Sequence, residues 1–368
     1  MADNRIERRR KRLIKALKPN GLEALLVTNF TNVTYLTGFT GDDSCLLVSR
    51  DAAVIISDSR YSTQIAEECP GLDVVIRTNR QPMFQVVGKV LAKAGISRLG
   101  IEGDSMTVSV RDRLADQAKS LALVSTTGLV ETLREVKDAG EVAELREAVT
   151  QAERGFAMLR ASLTGDQSEL QVAHDLEHSM RRFGAQGVSF PPIVAAGDRA
   201  ALPHANPTDA LIGRSSFLLV DWGATSAGGY RSDLTRVLVT GKILPKLAKI
   251  YKVVLKAQLQ AIKAIGPGVR CRDVDSVARN VIERAGFGKN FGHGLGHGIG
   301  LDIHEGTRFS PVSDDVLKPG MVMTVEPGIY LPGWGGVRIE DDVLVTRDGC
   351  EVLTSVPKEF SEVVQRWS

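Results

Sequence analysis

A glycine-rich segment in the second half of the chain holds three of the six histidines of the sequence. His293, His297 and His304 are four and seven residues apart, and five glycines lie between positions 292 and 300. Glycine lets the backbone approach a ligand closely, and neutral imidazole is a common metal ligand. A flexible linker would gain nothing from repeated imidazoles. The spacing therefore predicts a metal-binding or catalytic segment.

Carboxylates recur in or beside apolar, strand-like segments that glycine or proline interrupts. They are Asp221, Asp233, Glu326 and Glu340. Each one alone could be a solvated side chain on the outer face of a strand, whereas an unpaired buried carboxylate is very costly. Together with one neutral histidine they would carry four negative charges, which balance two divalent cations. A carboxylate-rich set with one imidazole favours Mn, Co, Fe or Zn in a two-metal site.

A second histidine pattern, His174-Asp-Leu-Glu-His178, has the HxxEH form of inverted zinc proteases. On a helix, His174, Glu177, His178 and Arg181 would share the polar face opposite an apolar stripe. Because no third ligand follows in a recognisable context, we interpret this pattern as a solvated helix face.

The elements that must position these residues change in character along the chain. Residues 1–131 alternate short strand-like and helical segments, which is typical of an α/β domain. The predicted strands cover 24–28, 44–48 and 53–57, and the predicted helices cover 60–69 and 84–94. A charged segment over about 132–160 predicts a helical bridge that is broken near Ala139-Gly140.

The second predicted domain covers residues 132–368, including the bridge, and combines helices with hairpin strands. Because these elements lack a regular βαβ order, they predict an α+β fold. The predicted helices cover 167–183, 244–265 and 274–285, and the predicted strands cover 217–221, 234–240, 321–326 and 336–346. The four carboxylates lie in or next to these strands, so strand pairing must bring them together.

Composition excludes several classes of protein. The chain has 368 residues, a net charge of +2 and 24% charged residues, which gives no overall attraction to nucleic acid or acidic membranes. No apolar run is long enough to span a membrane, and no signal-like apolar segment follows the basic start. The four cysteines are widely separated, which argues against a zinc ribbon or a disulfide scaffold. We therefore expect a cytoplasmic protein with reduced thiols.

The basic run Arg8–Arg12 near the N-terminus could be a nucleic-acid patch or the solvated face of a helix. The spacing of Ile6, Leu13, Ile14 and Leu17 gives that helix an apolar side, so we expect a solvated face and no nucleic-acid binding.

Five segments resemble the metal-binding blocks of the pita-bread metallopeptidases, and most closely those of the Xaa-Pro branch, prolidase and aminopeptidase P. They cover residues 219–224, 230–236, 292–300, 319–328 and 336–342. In the first half, residues 32–41 and 57–61 are similar to the creatinase/prolidase N-terminal domain. The resemblance spans nearly the whole chain. It implies a smaller α/β creatinase/prolidase-like domain over 1–131, followed along the chain by a pita-bread catalytic domain over 132–368.

The resemblance also implies roles for individual residues. The five ligands of a dinuclear centre would be Asp221, Asp233, His297, Glu326 and Glu340, with Asp233 and Glu340 bridging the two ions. The substrate-binding or proton-handling residues would be His204, His293, His304 and Arg338, with Glu326 as the proton acceptor. The implied reaction is attack of a metal-bridging hydroxide on an Xaa-Pro bond. Manganese is the first choice of metal, with Co, Zn or Fe as alternatives.

Several alternatives stay open at this point. The substrate, a short peptide with proline at its second position, fits a dipeptidase or an aminopeptidase P, and Arg308 leans towards the dipeptidase. A creatinase-like amidinohydrolase without metal and a non-catalytic interaction scaffold use the same fold. Retention of all five ligand positions argues against both. The resemblance further implies a homodimer.

Three details of the sequence concern the shape of the site. The interval from Asp221 to Asp233 is one residue longer than is common in the family, which predicts an extra residue in the turn near 226–229. Thr307 stands where the family usually has proline, and we expect this to loosen the loop that carries His304. Phe190 and Trp334 are candidate walls of an apolar pocket for the prolyl ring.

Overall fold

The structure is a computed structural model that describes residues 2–117 and 121–365. The chain divides into two compact units, Met1–Arg134 and Glu135–Ser368. Both mix helices with strands, in agreement with the α/β and α+β classes that the sequence predicts.

The N-terminal unit contains one mixed sheet with helices. Its helices are α1 (Ala2–Leu17), α2 (Phe30–Thr37), α3 (Ser62–Glu68), α4 (Met83–Ala94), α5 (Val108–Gln117) and α6 (Glu131–Arg134). Its strands are β1 (Ala24–Val27), β2 (Cys45–Ser49), β3 (Ala53–Asp58), β4 (Asp73–Arg77), β5 (Arg98–Glu102) and β6 (Ala122–Thr126).

The strands of this sheet follow the order β4-β3-β2-β1-β5-β6. Strand β1 pairs antiparallel with β2 and parallel with β5, and every residue of β1 is buried. A continuous apolar run of this kind is typical of a strand that is covered on both faces. Leu26 of β1 belongs to the same buried cluster as Val87 and Leu91 of α4, so this helix packs on the sheet.

The basic run in α1 is only partly the solvated face that the sequence predicts. Arg9 is buried, its Nη1 donates to the carbonyl of Tyr35 at 3.1 Å, and its guanidinium lies 4.3 Å from the centre of the Tyr35 ring. The physical reason is spacing, because Arg9 lies on the same helix face as the buried Leu13 and Leu17. Arg8, Lys11 and Arg12 are exposed as expected.

The C-terminal unit contains four helices of eight residues or more in its described part, with several small sheets. The helices are α7 (Ala139–Ser162), α8 (Glu169–Arg182), α9 (Pro245–Ala264) and α10 (Cys271–Arg284). The strands are β7 (Gly187–Val188), β8 (Ile193–Ala196), β9 (Phe217–Trp222), β10 (Ala224–Thr225), β11 (Leu234–Val239), β12 (Gly296–Gly298), β13 (Glu305–Phe309), β14 (Val322–Val325), β15 (Gly328–Leu331), β16 (Gly335–Arg338), β17 (Asp341–Val345) and β18 (Cys350–Val352).

Two sheets of this unit carry most of the predicted ligands. One has the order β11-β9-β8 and the other the order β13-β12-β14-β17-β18. A single bridge between Thr235 and Glu340 joins the edge of the first sheet to the chain just before β17. Helices α9 and α10 pack behind the strands, where Val254 and Ile282 share a buried cluster with Val325 of β14.

The charged bridge is helical and broken, as the sequence predicts, because α6 ends at Arg134 and α7 begins at Ala139. A capping box starts α7: Asp138 accepts from the backbone N–H of Glu141, whose side chain accepts from the N–H of Asp138. None of the described helices combines the length and apolar character needed to cross a membrane.

Candidate metal centre and active site

One cavity of about 650 Å³ in the C-terminal unit collects every predicted site residue. Nine of the residues that line it are the predicted metal ligands and catalytic residues: Asp221, Asp233, His297, Glu326, Glu340, His204, His293, His304 and Arg338. They come from segments spread over more than 130 positions of the sequence, so the fold brings them together. The individual roles given to them above remain predictions.

Strand pairing positions the five predicted ligands. Asp221 lies in β9, Asp233 directly precedes β11 and His297 is the central residue of β12. Glu326 directly follows β14, and Glu340 lies between β16 and β17. Each donor is therefore fixed by a hydrogen-bonded ladder within one or two residues of its own position.

The long turn between Asp221 and Asp233 leaves the strand register intact. The same pairing runs from Trp222 opposite Leu234 to the bridge between Thr225 and Arg231. At the tip, Ser226 N donates to Tyr230 O at 2.8 Å, and Glu144 accepts from the Ser226 hydroxyl at 2.8 Å. The register of β9 and β11 therefore holds up to the turn and keeps both aspartates on the face that strand pairing sets.

Donor atoms of Asp233, His297 and Glu340 lie within 4.8 Å of one another. The Nε2 atom of His297 is 3.4 Å from Glu326 Oε1 and 3.7 Å from Asp233 Oδ2. The other ring nitrogen, Nδ1, lies 3.0 Å from the carbonyl oxygen of Gly298, to which it donates. This hydrogen bond fixes the tautomer and leaves the Nε2 lone pair directed at the carboxylates, as a metal ligand requires.

The charges of this cluster favour a cation among the carboxylates. Burial, followed by repulsion between the carboxylates, holds the pKa of Asp233 and Glu340 well above the usual range. Burial lowers the pKa of His297 to about 3, so the imidazole is neutral near pH 7. Among the described residues, Arg338 is the only Lys or Arg that forms an ion pair with one of the four carboxylates, namely Asp221. The ionised form of the others is therefore stable only with a further cation beside it.

The oxygen atoms of the cluster also fit a metal. Asp221 Oδ1 is fully buried and finds no hydrogen-bond partner among the described residues, although buried polar atoms normally have one. Crowded carboxylate oxygens, one neutral imidazole and an orphaned oxygen are what divalent cations coordinate. The residues present therefore fit a carboxylate-rich metal centre.

Thr235 and Asp342 form hydrogen bonds to the predicted ligands Glu340 and Asp233. Thr235 donates to Glu340 Oε2 at 2.6 Å and accepts from Arg338 Nε at 3.1 Å, so one hydroxyl orients both side chains. The carboxylate of Asp342 accepts from the backbone N–H of Asp233 at 3.1 Å. Such partners of ligands are known to tune metal affinity.

Tyr330 is a residue of the site that the sequence analysis missed. Its hydroxyl lies 2.9 Å from Arg338 Nη1 and 3.0 Å from His293 Nε2, and it lines the cavity. The three side chains form one hydrogen-bonded row along the wall. The only available signal was the position of this tyrosine, four residues after Glu326 and inside a strand that pairs with the one carrying Arg338.

The segment around His304 packs next to the metal-ligand cluster and is followed by buried residues. The imidazole rings of His304 and His297 lie 4.3 Å apart, in an edge-on arrangement. Thr307, which was expected to loosen this segment, is a buried residue of β13. A Cβ atom placed on the preceding Gly306 would lie 2.6 Å from Glu135 Oε1, so the segment packs closely against Glu135.

Two further sequence predictions about the site have opposite outcomes. Phe190 lines the cavity, as expected for a pocket wall. Trp334 does not, because its ring packs on Phe217 with the centroids 5.5 Å apart and carries Lys246 on its face. Trp334 is therefore a packing residue.

The HxxEH pattern is a solvated helix face. His174 and His178 are exposed, and Glu177 pairs with Arg181 at 3.0 Å on the surface of α8. Among the described residues, the three-residue group with metal-binding geometry is that of Asp233, His297 and Glu340.

Comparison with known families decides the classification. The model of metallopeptidase family M24 matches residues 143–347, which is more than half of the chain. The chain belongs to metallopeptidase family M24. In this M24 metallopeptidase, residues 9–136 match the creatinase/prolidase N-terminal domain, as the resemblance implied. Metallopeptidases of this family use divalent metal ions, in keeping with the donor set described above.

Individual relatives cover nearly the whole enzyme. A curated Xaa-Pro dipeptidase from Pyrococcus furiosus is 33% identical over 357 residues, 96% of this chain and all of that one. The structure of an Xaa-Pro dipeptidase from Bacillus anthracis superposes with a TM-score of 0.93 at 38% identity, covering 98% of this chain and 99% of that one. An X-Pro aminopeptidase from Thermotoga maritima superposes with a TM-score of 0.88 at 34% identity, covering 96% and 99%.

Proposed function

We propose that this M24 metallopeptidase is an Xaa-Pro dipeptidase that works with two divalent metal ions. The observation that carries the proposal is the meeting of four carboxylates and one neutral histidine in a single cavity whose other wall is formed by histidines, Tyr330 and Arg338. The similarity to Xaa-Pro dipeptidases over nearly the full chain supports the choice of substrate.

The residues that would hold the ions are Asp221, Asp233, His297, Glu326 and Glu340. Four carboxylates balance the charge of two divalent cations, and oxygen ligands with one imidazole favour manganese. When bound, two such ions supply Lewis acidity for the scissile carbonyl and an activated water as the nucleophile.

The chain's own groups supply the proton transfers and the orientation. Glu326 Oε1 lies 3.4 Å from His297 Nε2 and accepts from the Thr324 hydroxyl at 3.1 Å, and this carboxylate accepts the proton of the nucleophile. His304 and His204 face the same cavity and donate to the tetrahedral oxyanion or to the leaving prolyl nitrogen. Arg338, fixed by Thr235 and Tyr330, orients the substrate through its fork of donors.

The shape of the cavity suits a prolyl substrate. A prolyl amide has no N–H, so recognition depends on apolar contact rather than on a strand-like hydrogen bond. Phe190, Ile193, Ile303 and Pro332 provide that apolar lining. Arg308 is exposed and lines the same cavity, so it is available to bind the free carboxylate of a dipeptide.

A hydrolysis panel tests the proposal. The purified enzyme is assayed with Ala-Pro, Ala-Pro-Ala and the control Ala-Ala in manganese and cobalt buffers. We expect metal-dependent release of proline from Ala-Pro with little cleavage of the other two. Preferential cleavage of Ala-Pro-Ala would make the protein an aminopeptidase P. Metal-independent hydrolysis of an amidino substrate such as creatine, or no hydrolysis at all, would contradict the proposal.

The assembly and the compartment belong to the same proposal. We infer a homodimer, as the family resemblance implies, and light scattering at two salt concentrations tests it because an apolar interface should resist moderate salt. No duplex binding is expected at physiological salt. The four cysteines are free thiols, which suits the reducing cytoplasm.

A further inference from the structure

The segment that carries His304 lies outside regular strand pairing. In the β12–β13 ladder, His297 pairs with Arg308, but Gly298 pairs with Glu305, so Gly306 and Thr307 form a bulge. His304 comes directly before β13, on the loop that leads into this bulge. Bulges commonly re-aim a side chain next to an active site. Something other than the ladder must therefore fix the direction of the His304 ring.

Glu305, the neighbour of His304, points away from the cavity into the protein. Its Oε1 accepts from the backbone N–H of Leu301 at 3.1 Å and of Asp302 at 3.4 Å, so one carboxylate oxygen closes the loop of 301–305. Its Oε2 pairs with Lys137 Nζ at 3.0 Å, and the two side chains are 3% and 1% exposed. This is an ion pair buried on both sides.

The short segment 135–137 holds this ion pair in place. Val136 bridges to Met321, directly before β14, and Lys137 N donates to Gly320 O at 2.9 Å. The segment is therefore bound to the chain that leads into a ligand strand. A Cβ atom placed on Gly306 would lie 2.6 Å from Glu135 Oε1, so the Glu135 carboxylate packs against the bulge, while Lys137 pairs with Glu305. Segment 135–137 therefore contacts both the bulge and the residue before it.

We propose that Lys137 is a positioning residue for the hydrolytic reaction, acting through Glu305 to hold His304 beside the metal centre; this rests on the proposed function. Neither Lys137 nor Glu305 is among the described residues that line the cavity, so neither acts on the substrate directly. A buried carboxylate is stable there only with its cation, and removing Lys137 releases the carboxylate that closes the His304 loop.

Packing leaves Glu305 little freedom to act in another way. A Cβ atom placed on Gly300 would lie 2.5 Å from Glu305 Oε1, so the carboxylate fits closely against the backbone of its own loop. Loss of the ion pair would therefore change the loop of 300–305 before it changed the ligand strands.

The test is a double-mutant cycle with His304. Lys137→Met is compared with Lys137→Met/Glu305→Gln, which leaves no unpaired buried charge and guards against misfolding. The single and the double variant should each lower kcat about 10- to 100-fold with KM and metal content unchanged. Lys137→Arg keeps the positive charge and should retain most of the parent enzyme's kcat. In the His304→Ala background, the same changes should cost no further activity, because their route runs through His304.

Arg199→Met is the matched control, because Arg199 pairs with the fully buried Glu169 at 2.8 Å on a different segment. Its effect on kcat should persist in the His304→Ala background. If the Lys137 changes instead lower the residual rate of His304→Ala as much as that of the parent enzyme, the pair is a general stability element and the proposal is wrong.

A readout without substrate separates this inference from the proposed function. Hydrogen–deuterium exchange should become faster in a peptide over 299–306 when Lys137 is changed, with Val322–Val325 of β14 unaffected. Unchanged exchange in 299–306 would overturn the inference even in an active prolidase. Faster exchange in a protein that hydrolyses no Xaa-Pro bond would leave the positioning of the loop correct and the proposed function wrong.

Discussion

The predicted metal ligands and the predicted proton-handling histidines meet in one cavity but are held by different means. The ligands lie in or next to strands β9, β11, β12, β14 and β17, where backbone ladders fix them. His204, His293 and His304 lie on irregular segments. In these irregular segments, buried side-chain carboxylates bind the backbone N–H groups that strand pairing would otherwise bind.

The same arrangement recurs at the two other histidine segments. Near His204, Glu169 is fully buried, accepts from Ala196 N at 2.8 Å and Thr208 N at 3.0 Å, and pairs with Arg199. These contacts span the segment 196–208 that contains His204. A single buried carboxylate thus closes a segment of more than ten residues.

Near His293, the buried carboxylate is that of Asp275 on α10. It accepts from Leu295 N at 3.1 Å and from Arg279, whose Nη2 donates to His293 O at 2.9 Å. The comparison teaches that coordination geometry depends on strand register, whereas histidine placement depends on a few ion pairs that can be removed one at a time.

Removing a bridging ligand should give the largest effect. Glu340→Ala and Asp233→Ala should each reduce bound metal and lower hydrolysis by more than about 1,000-fold, since each removes a charge that two cations would share. Elemental analysis and Ala-Pro hydrolysis on the same samples measure both effects. Full activity in either variant would exclude the dinuclear assignment.

Removing a histidine outside the ligand set should separate the two groups. His304→Ala should keep its metal and lower kcat about 100- to 1,000-fold, because the residue acts in the transition state and not in the centre itself. Metal content and kcat, measured together, decide this. Loss of metal would show that His304 belongs with the ligands.

Removing a hydrogen-bond partner of a ligand should have a smaller effect on activity than removing the ligand. Thr235→Val removes the hydroxyl that donates to Glu340 and accepts from Arg338. Metal affinity should fall about 10- to 100-fold while kcat at saturating metal changes less. Metal titrations of activity give both numbers. An unchanged affinity would mean that strand pairing alone orients Glu340.

The smallest effect on activity should come from removing Arg279, which donates to the backbone carbonyl of His293. Arg279→Met removes the donor to His293 O, and no described hydrogen bond joins Arg279 directly to a ligand strand. We expect about a tenfold loss of kcat at unchanged metal affinity. A fall in metal affinity of similar size would erase the distinction between strand-held and side-chain-held residues.

Sequence patterns predict the strand-held part of the molecule well. The alternating or apolar segments 217–221, 234–240 and 321–326 correspond to β9, β11 and β14. The prediction over 336–346 was too simple, because β16 and β17 are separate strands with Glu340 between them. In the N-terminal unit, β4, β5 and β6 were not predicted. Strands β4 and β6 are the edges of the sheet, with exposed or half-buried residues and apolar runs of only three, and Gly100 interrupts the apolar residues of β5.

The side-chain-held part was less accessible to sequence reasoning. Helix α2 was not predicted, since its start is set by the side chain of Asn29, which accepts from the backbone of Thr31 and Asn32. Tyr330 and the Lys137–Glu305 pair were also missed. Lys137 and Glu305 are 168 positions apart, and no local spacing indicates a contact that only the tertiary fold creates.

A metal titration tests the central claim most directly. Protein treated with a chelator is titrated with manganese, and bound metal and Ala-Pro hydrolysis are measured at each step. The account predicts no activity without metal and full activity as two ions bind per chain, with Glu340→Ala unable to recover at any concentration. Full hydrolysis by the metal-free protein, or full activity with Glu340→Ala, would contradict it.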